Sequence, residues 1–197
     1  MFGYPVSLDV AGKVAVVIGE EALAQGKDRA LADAGARVVV RSESDWRPED
    51  LDGAFLCVAS SADPAVRAAV YRAARERGVL TNVMDDIAHC DFAAPAIVRR
   101  GELTIAVATG GRSPALARRL RETFDRDFGP EWTEALDILG DVRDQTLALL
   151  PDLRDRAARW AAALDVGELT SLVRAGRGGE AKARLQDRLL DGVEVPA

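Results

Sequence analysis

Five short apolar runs set the terms for this chain: "KVAVVIGE" (13–20), "RVVVR" (37–41), "AFLCVAS" (54–60), "VLTNVMD" (79–85) and "LTIAVAT" (103–109). Each is too short for a core helix. The first is continuously apolar and β-branched up to its glycine, as in a strand buried on both faces of a parallel sheet. Helix-period segments lie between the runs. "ALAQGKDRALADAGA" (22–36) places Ala22, Leu23, Ala30, Leu31 and Ala34 near helical spacing, with Gly35 as its stop. Asp63-Pro64 opens "PAVRAAVYRAARERG", where proline suits the first helical position. The acidic connection "SESDWRPEDLDG" (42–53) has little periodicity, though "PEDL" suits one helical turn. Strands alternating with helices at this spacing predict an α/β fold, a doubly wound parallel sheet with five strands.

After Pro130 the pattern changes. "EWTEALDILGDVRDQTLALL" carries Trp132, Leu136, Leu139, Val142 and Leu147 at helical intervals, and Pro151 ends it. "PDLRDRAARWAAALD", "VGELTSLVRAG" and "GEAKARLQDRLLDG" read as three more amphipathic helices separated by glycine-containing turns. The expected organisation is an α/β domain over 1–112 and a helical region over 113–197. A net charge of −6 argues against general nucleic-acid or membrane-surface binding. No secretory leader precedes the first strand and no apolar run nears the ~20 residues of a membrane span, so the chain reads as cytoplasmic. Cys57 and Cys90 imply no disulfide framework.

Two turns carry the chemistry. The first strand ends in Gly19-Glu20-Glu21-Ala22-Leu23-Ala24. A dinucleotide turn reads G-x-G-x-x-G/A, with glycines that let a pyrophosphate approach the helix N-terminus. Here the first glycine and the closing alanine are present, and glutamate stands at the middle glycine. A plain strand-to-helix turn is the alternative. Glu43 follows the second strand, where an acidic residue can hold a ribose hydroxyl or simply face water. The second turn is "VATGGRSPALARRLRETF" (107–124). Gly110 and Gly111 permit close backbone approach, Ser113 can cap the next helix, and Pro114 suits its first position. That helix end, with Arg112, can face a carboxylate. Leu116, Leu120, Phe124 and Phe128 form a packing stripe, which leaves Arg118, Arg119 and Arg121 on other faces.

The blocks "YPVSLDVAGKVAVVIG" (4–19), "LADAGARVVV" (31–40), "RPEDLDGAFLCVASSADP" (47–64), "RGVLTNVMDD" (77–86) and "CDFAAPAIVRRGELTIAVATGGRSPALARRLRE" (90–122) run in one order over most of residues 4–128. In them the chain resembles the precorrin-2 dehydrogenase/sirohydrochlorin ferrochelatase family, the dehydrogenase–chelatase module of sirohaem synthases. The resemblance implies a Rossmann-like sheet followed by a helical dimerisation and C-terminal region. It implies NAD-linked oxidation of precorrin-2 to sirohydrochlorin, in some members ferrous iron insertion to give sirohaem, and a homodimer with a cleft between its halves. It places the essential aspartate on Asp85, and cofactor positions on Gly19, Ala22, Leu23, Glu43 and Ser44. Gly110, Gly111, Arg112 and Ser113 fall on its substrate turn. This chain departs from the family at Glu20-Glu21, where a run of three glycines is usual. It departs again at Ser42 to Trp46, a shortened connection that elsewhere holds a helix and a short strand. The departures motivate a second reading, an NAD-independent chelatase or tetrapyrrole-binding protein.

In the enzyme reading Asp85 is the general base, with Asp86 supplying a field that raises its pKa; the alternative is that the Asp pair caps the helix or loop beginning at Ile87. His89, the only histidine, adds to a donor-rich patch with Asp85, Asp86, Cys90 and Asp91. Its spacing matches no recognised metal site, and no metal is expected.

Overall fold

The computed structural model describes residues 4–19 and 21–193, with backbone alone for 21–25. The chain divides into two compact units, Met1–Ala94 with Gly110–Arg112, and Pro95–Thr109 with Ser113–Ala197.

The first unit is a parallel four-stranded sheet in the order β2-β1-β3-β4, with β1 Val14–Ile18, β2 Arg37–Arg41, β3 Leu56–Ala59 and β4 Leu80–Val83. Register runs Val16↔Val39 and Val16↔Cys57 at the centre, and Val58↔Asn82 beyond. Helix α1 (Glu21–Asp33) crosses from β1 to β2, and α2 (Pro64–Glu76) from β3 to β4. Asp63 caps α2 by accepting the Ala65 amide at 2.8 Å, with Pro64 at the first helical position. "PEDL" forms a 3-10 turn over Pro48–Leu51 and buries Leu51 completely. Both faces of the sheet are covered. Val16, Ile18, Cys57, Ala59, Val70 and Val83 form one core, and Val10, Ala15, Leu56 and Val58 another. Burial in that apolar layer pushes the Cys57 thiol up to about 12. Among the described residues β2 is the outer strand on its side; on the other side Cys90 bridges back to Asn82 of β4.

The second unit begins with a hairpin of β5 (Ala96–Arg100) and β6 (Leu103–Val107), antiparallel in the register Val98↔Ile105. This corrects the expected fifth parallel strand: "LTIAVAT" pairs antiparallel with "AIVRR", outside the parallel sheet. Gly101 has a positive φ of 57° in the two-residue loop between them. The hairpin packs on α3 (Pro114–Asp127) and α4 (Glu131–Leu149). The remaining helices are α5 (Leu153–Ala163), α6 (Val166–Arg174) and α7 (Gly178–Leu189). Their core gathers Ala135, Ile138, Val142, Leu169, Leu185 and Leu189. Asp152 and Asp165 cap α5 and α6, so the turn aspartates set where each helix starts. The stripe on α3 is half-buried rather than fully buried: Leu116 is exposed, while Phe124 and Phe128 meet edge to face at 6.2 Å.

Candidate active site at the sheet edge

In an open α/β sheet, ligands collect beyond the carboxyl ends of the strands, where the strand order reverses. Here that point lies between β1 and β3, since the chain runs from β1 out to β2 and returns on the other side. Gly19 stands at this junction with φ of 146°. A Cβ built there would lie 2.5 Å from the Ser60 carbonyl oxygen, so only glycine lets the loops after β1 and β3 approach this closely. Its amide donates to Arg41 O at 3.1 Å, which joins the end of β2 to the same junction. The α1 N-terminus follows at Glu21, aiming its free amides beyond the strand ends. Glu43, half-buried, and Ser44, exposed, sit in the turn after β2. The Ser44 hydroxyl lies 3.1 Å from that of Ser42 and donates to Asp45 at 3.2 Å. Strand, glycine, helix N-terminus and acidic turn together fit a dinucleotide. Glu20 and the side chains of Glu21, Ala22 and Leu23 lie outside the described residues.

Asp85 follows β4 at the same edge. It is exposed, and among the described residues it alone combines a side chain with positive φ, at 60°. The Asp86 amide donates to Val83 O at 3.2 Å, closing a β-turn whose third residue is Asp85. That position normally takes glycine; among residues with a side chain, asparagine and aspartate tolerate it best, and a left-handed backbone remains uncommon for them. Such strain, held at a ligand-facing edge, is characteristic of functional positions.

Asp86 does not act as expected. One oxygen, Oδ2, accepts from Arg67 Nε at 3.0 Å and faces His89 Nδ1 at 2.8 Å. Since a carboxylate only accepts, Nδ1 carries the proton. The His89 ring and then the Arg67 guanidinium hold the Asp86 carboxyl below the usual carboxylate range. Its charge is therefore compensated locally rather than turned toward Asp85. Asp86 also makes no side-chain cap to the 3-10 turn at Ile87–His89, so the capping alternative fails. The sequence signal for this trio, Arg67 on α2 and Asp86 and His89 three apart, is too generic to find alone.

This arrangement makes a pH prediction. A depressed carboxylate stabilises the fold fully above its unfolded pKa of ~3.9, and the contribution disappears as pH falls through the lower folded value. Urea denaturation of wild type and Asp86→Asn should show a constant stability gap from pH 7 to about 4.5, narrowing below pH 4. A gap unchanged at pH 3 would remove the Asp86 assignment.

The other donors near Asp85 are already engaged. Cys90 Sγ lies 3.1 Å from Val83 O and 3.2 Å from Asp86 O and accepts from the Val83 amide; burial raises its thiol pKa. Asp91 accepts from the Thr81 amide at 3.0 Å. Among the described residues no three His, Cys, Asp or Glu side chains converge as a metal site would need.

Of the second turn, Gly110–Arg112 belong to the sheet unit and Ser113 to the helical one. Gly110 and Gly111 have φ of 61° and 78°, and a Cβ on Gly111 would meet Ile87 Cδ1 at 2.6 Å. Ser113 caps α3 by accepting the Leu116 amide at 3.2 Å, and its own amide donates to Thr109 Oγ1. Arg112 is exposed. A groove of about 340 Å³ between α4 and α5, lined by Leu136, Leu139, Leu153 and Trp160, holds none of the expected site residues.

Residues 6–96 match a family described as "Putative NAD(P)-binding", and residues 100–126 match "Sirohaem biosynthesis protein central". The chain is 34% identical to "Siroheme synthase" of Pseudomonas paraeruginosa over 96% of this chain and 44% of that protein. It is 33% identical to "Siroheme synthase 1" of Pectobacterium atrosepticum, over 98% of this chain and 45% of that one. The chain thus spans less than half the length of the curated relatives it matches. Among solved structures, "SirC, precorrin-2 dehydrogenase" superposes with a TM-score of 0.71 at 21% identity, over 94% of this chain and all of that one. That likeness confirms the doubly wound, Rossmann-like fold. In its two matched domains and across nearly its whole length, the chain is similar to just under half of a sirohaem synthase.

Proposed function

We propose that this chain oxidises precorrin-2 to sirohydrochlorin with NAD⁺, within sirohaem biosynthesis. The observation that carries the reading is Asp85: an exposed carboxylate held in a left-handed turn at the strand ends, on the edge that also holds the Gly19 junction. In the balanced reaction a hydride and a proton leave the macrocycle, giving sirohydrochlorin, NADH and H⁺. When bound, the nicotinamide supplies the hydride acceptor.

The chain's own residues do the rest. Asp85 takes the proton as general base. Gly19 gives the pyrophosphate close access to the N-terminus of α1, with Ala22 and Leu23 in its first turn. Glu43 and Ser44 hold the adenosine ribose, and the Glu43 carboxylate favours the 2′-hydroxyl of NAD over the 2′-phosphate of NADP. Gly110, Gly111, Arg112 and Ser113 hold the acetate and propionate arms, with Arg112 supplying a charge-assisted pair. Where iron is inserted, Fe²⁺ is substrate and two pyrrole N–H protons leave; Asp85 serves that step in the same role. The chain works as a cytoplasmic homodimer in this reading, with the sheet unit as its dinucleotide domain.

Anaerobic turnover of precorrin-2 with NAD⁺ or NADP⁺, followed by nicotinamide absorbance, tests the proposal. NADH should form, with NADP⁺ the poorer substrate. Sirohydrochlorin binding without reduction of either nucleotide would overturn it and leave a tetrapyrrole-binding or chelating protein.

A further inference from the structure

We propose that Arg67 is a positioning residue for Asp85, an inference that rests on the dehydrogenase reading. Arg67 lies in the first turn of α2, with its side chain largely covered. One guanidinium fastens two loops. Nη1 donates to the carbonyls of Ser61 at 2.9 Å and Ala62 at 3.1 Å, in the loop after β3. Nε donates to Asp86 Oδ2 at 3.0 Å, in the turn after β4. The Ser60 carbonyl that crowds Gly19 is one residue before the first of these contacts. Arg67 therefore ties the Asp85 turn to the strand junction assigned to the dinucleotide.

The turn itself needs this support. Its left-handed third residue resists the conformation, and persists only where the surroundings over-determine it. Three constraints act on the residue that closes the turn. Its amide is bonded to Val83, its carboxylate to Arg67, and the same oxygen to His89. His89 in turn packs edge-on against Tyr71, another α2 residue, with ring centroids 5.2 Å apart. Cys90 Sγ accepts from the Val83 amide. Removing the guanidinium frees the turn to relax and displaces Asp85 from its reacting geometry, where a shift of about 1 Å costs on the order of 100-fold in rate. Lysine keeps the charge but not the planar fork that reaches both loops.

The experiment compares anaerobic precorrin-2 turnover by wild type, Arg67→Met, Arg67→Lys, Asp86→Asn, the Arg67→Met/Asp86→Asn double variant and Asp85→Asn. Circular dichroism and Tm are recorded for each. Asp86→Asn should lower kcat about tenfold or more while leaving KM for both substrates within about twofold, because it leaves the 61–62 loop contacts intact. Arg67→Met should lose at least as much, Arg67→Lys should recover part, and the double variant should be no worse than Arg67→Met. Wild-type kcat in a folded Arg67→Met or Asp86→Asn protein would overturn the inference. So would losses that multiply in the double variant, or that merely follow the folded fraction. If Arg67→Met does not fold, Arg67→Lys and Asp86→Asn carry the test. Full activity in Asp85→Asn would instead overturn the role of Asp85 itself.

Discussion

Asp85→Asn should lower kcat for NAD-linked precorrin-2 oxidation by about 10²–10⁴-fold, the range a positioned general base contributes. The protein should lose no stability in exchange. Asparagine has nearly the shape of aspartate and tolerates the left-handed backbone at least as well, so the turn closed by the Asp86 amide keeps its form. Loss of turnover with an unchanged or slightly raised Tm would separate the carboxylate's chemistry from its structural place. Activity within threefold of wild type, on the order of 0.6 kcal/mol in barrier, would remove Asp85 from the mechanism.

Gly19→Ala should fail differently. Its methyl would lie 2.5 Å from the Ser60 carbonyl oxygen, a backbone atom that no rotamer change can withdraw, at a φ of 146°. Strain and clash together should cost about 3 kcal/mol or more, a large share of a domain's usual stability. The β1 and β3 loops would part, so dinucleotide affinity should fall with stability. Urea denaturation and NAD⁺ titration check both. Gly110→Ala is the contrast: its φ is 61° but a Cβ there meets open space, so only about 1–2 kcal/mol is expected. Equal effects at the two glycines would mean that close approach at Gly19 is not what matters.

These positions show how far the sequence could be read. The strands β1 and β3 were legible because burial on both faces leaves continuous apolar runs, and β4 because a short run rich in β-formers sits between a glycine and an aspartate turn. The four helices after Pro130 were legible from their 3.6-residue period and from the proline and glycines that divide them. The apolar run "LTIAVAT" suggests a fifth parallel strand, yet Thr104 and Ala106 are exposed and alternate with the more buried Leu103, Ile105 and Val107. Alternation of that kind marks an antiparallel strand with one wet face. Gly101-Glu102 between two such runs was the hairpin signal. The Gly19 turn and the Ser113 cap were visible because residue type dictates them. The left-handed Asp85 was not, since nothing local asks for it; it is imposed by Asp86, Arg67, His89 and Cys90, which tertiary packing brings together. For the same reason the sequence does not show that Asp86 is held by Arg67 and His89.

The outer strand β2 has a consequence beyond the fold. Val38, Val39 and Val40 stand in a row on a strand paired on one side only among the described residues, and Val40 is 44% exposed. A bare valine edge is a template for runaway strand addition between molecules. The arginines at its two ends work against that: Arg37 donates to Gly12 O at 3.1 Å and Arg41 pairs with Asp50 at 2.8 Å. Charged residues thus bracket the valine row at both ends, the composition that makes an open edge a poor template for a second chain.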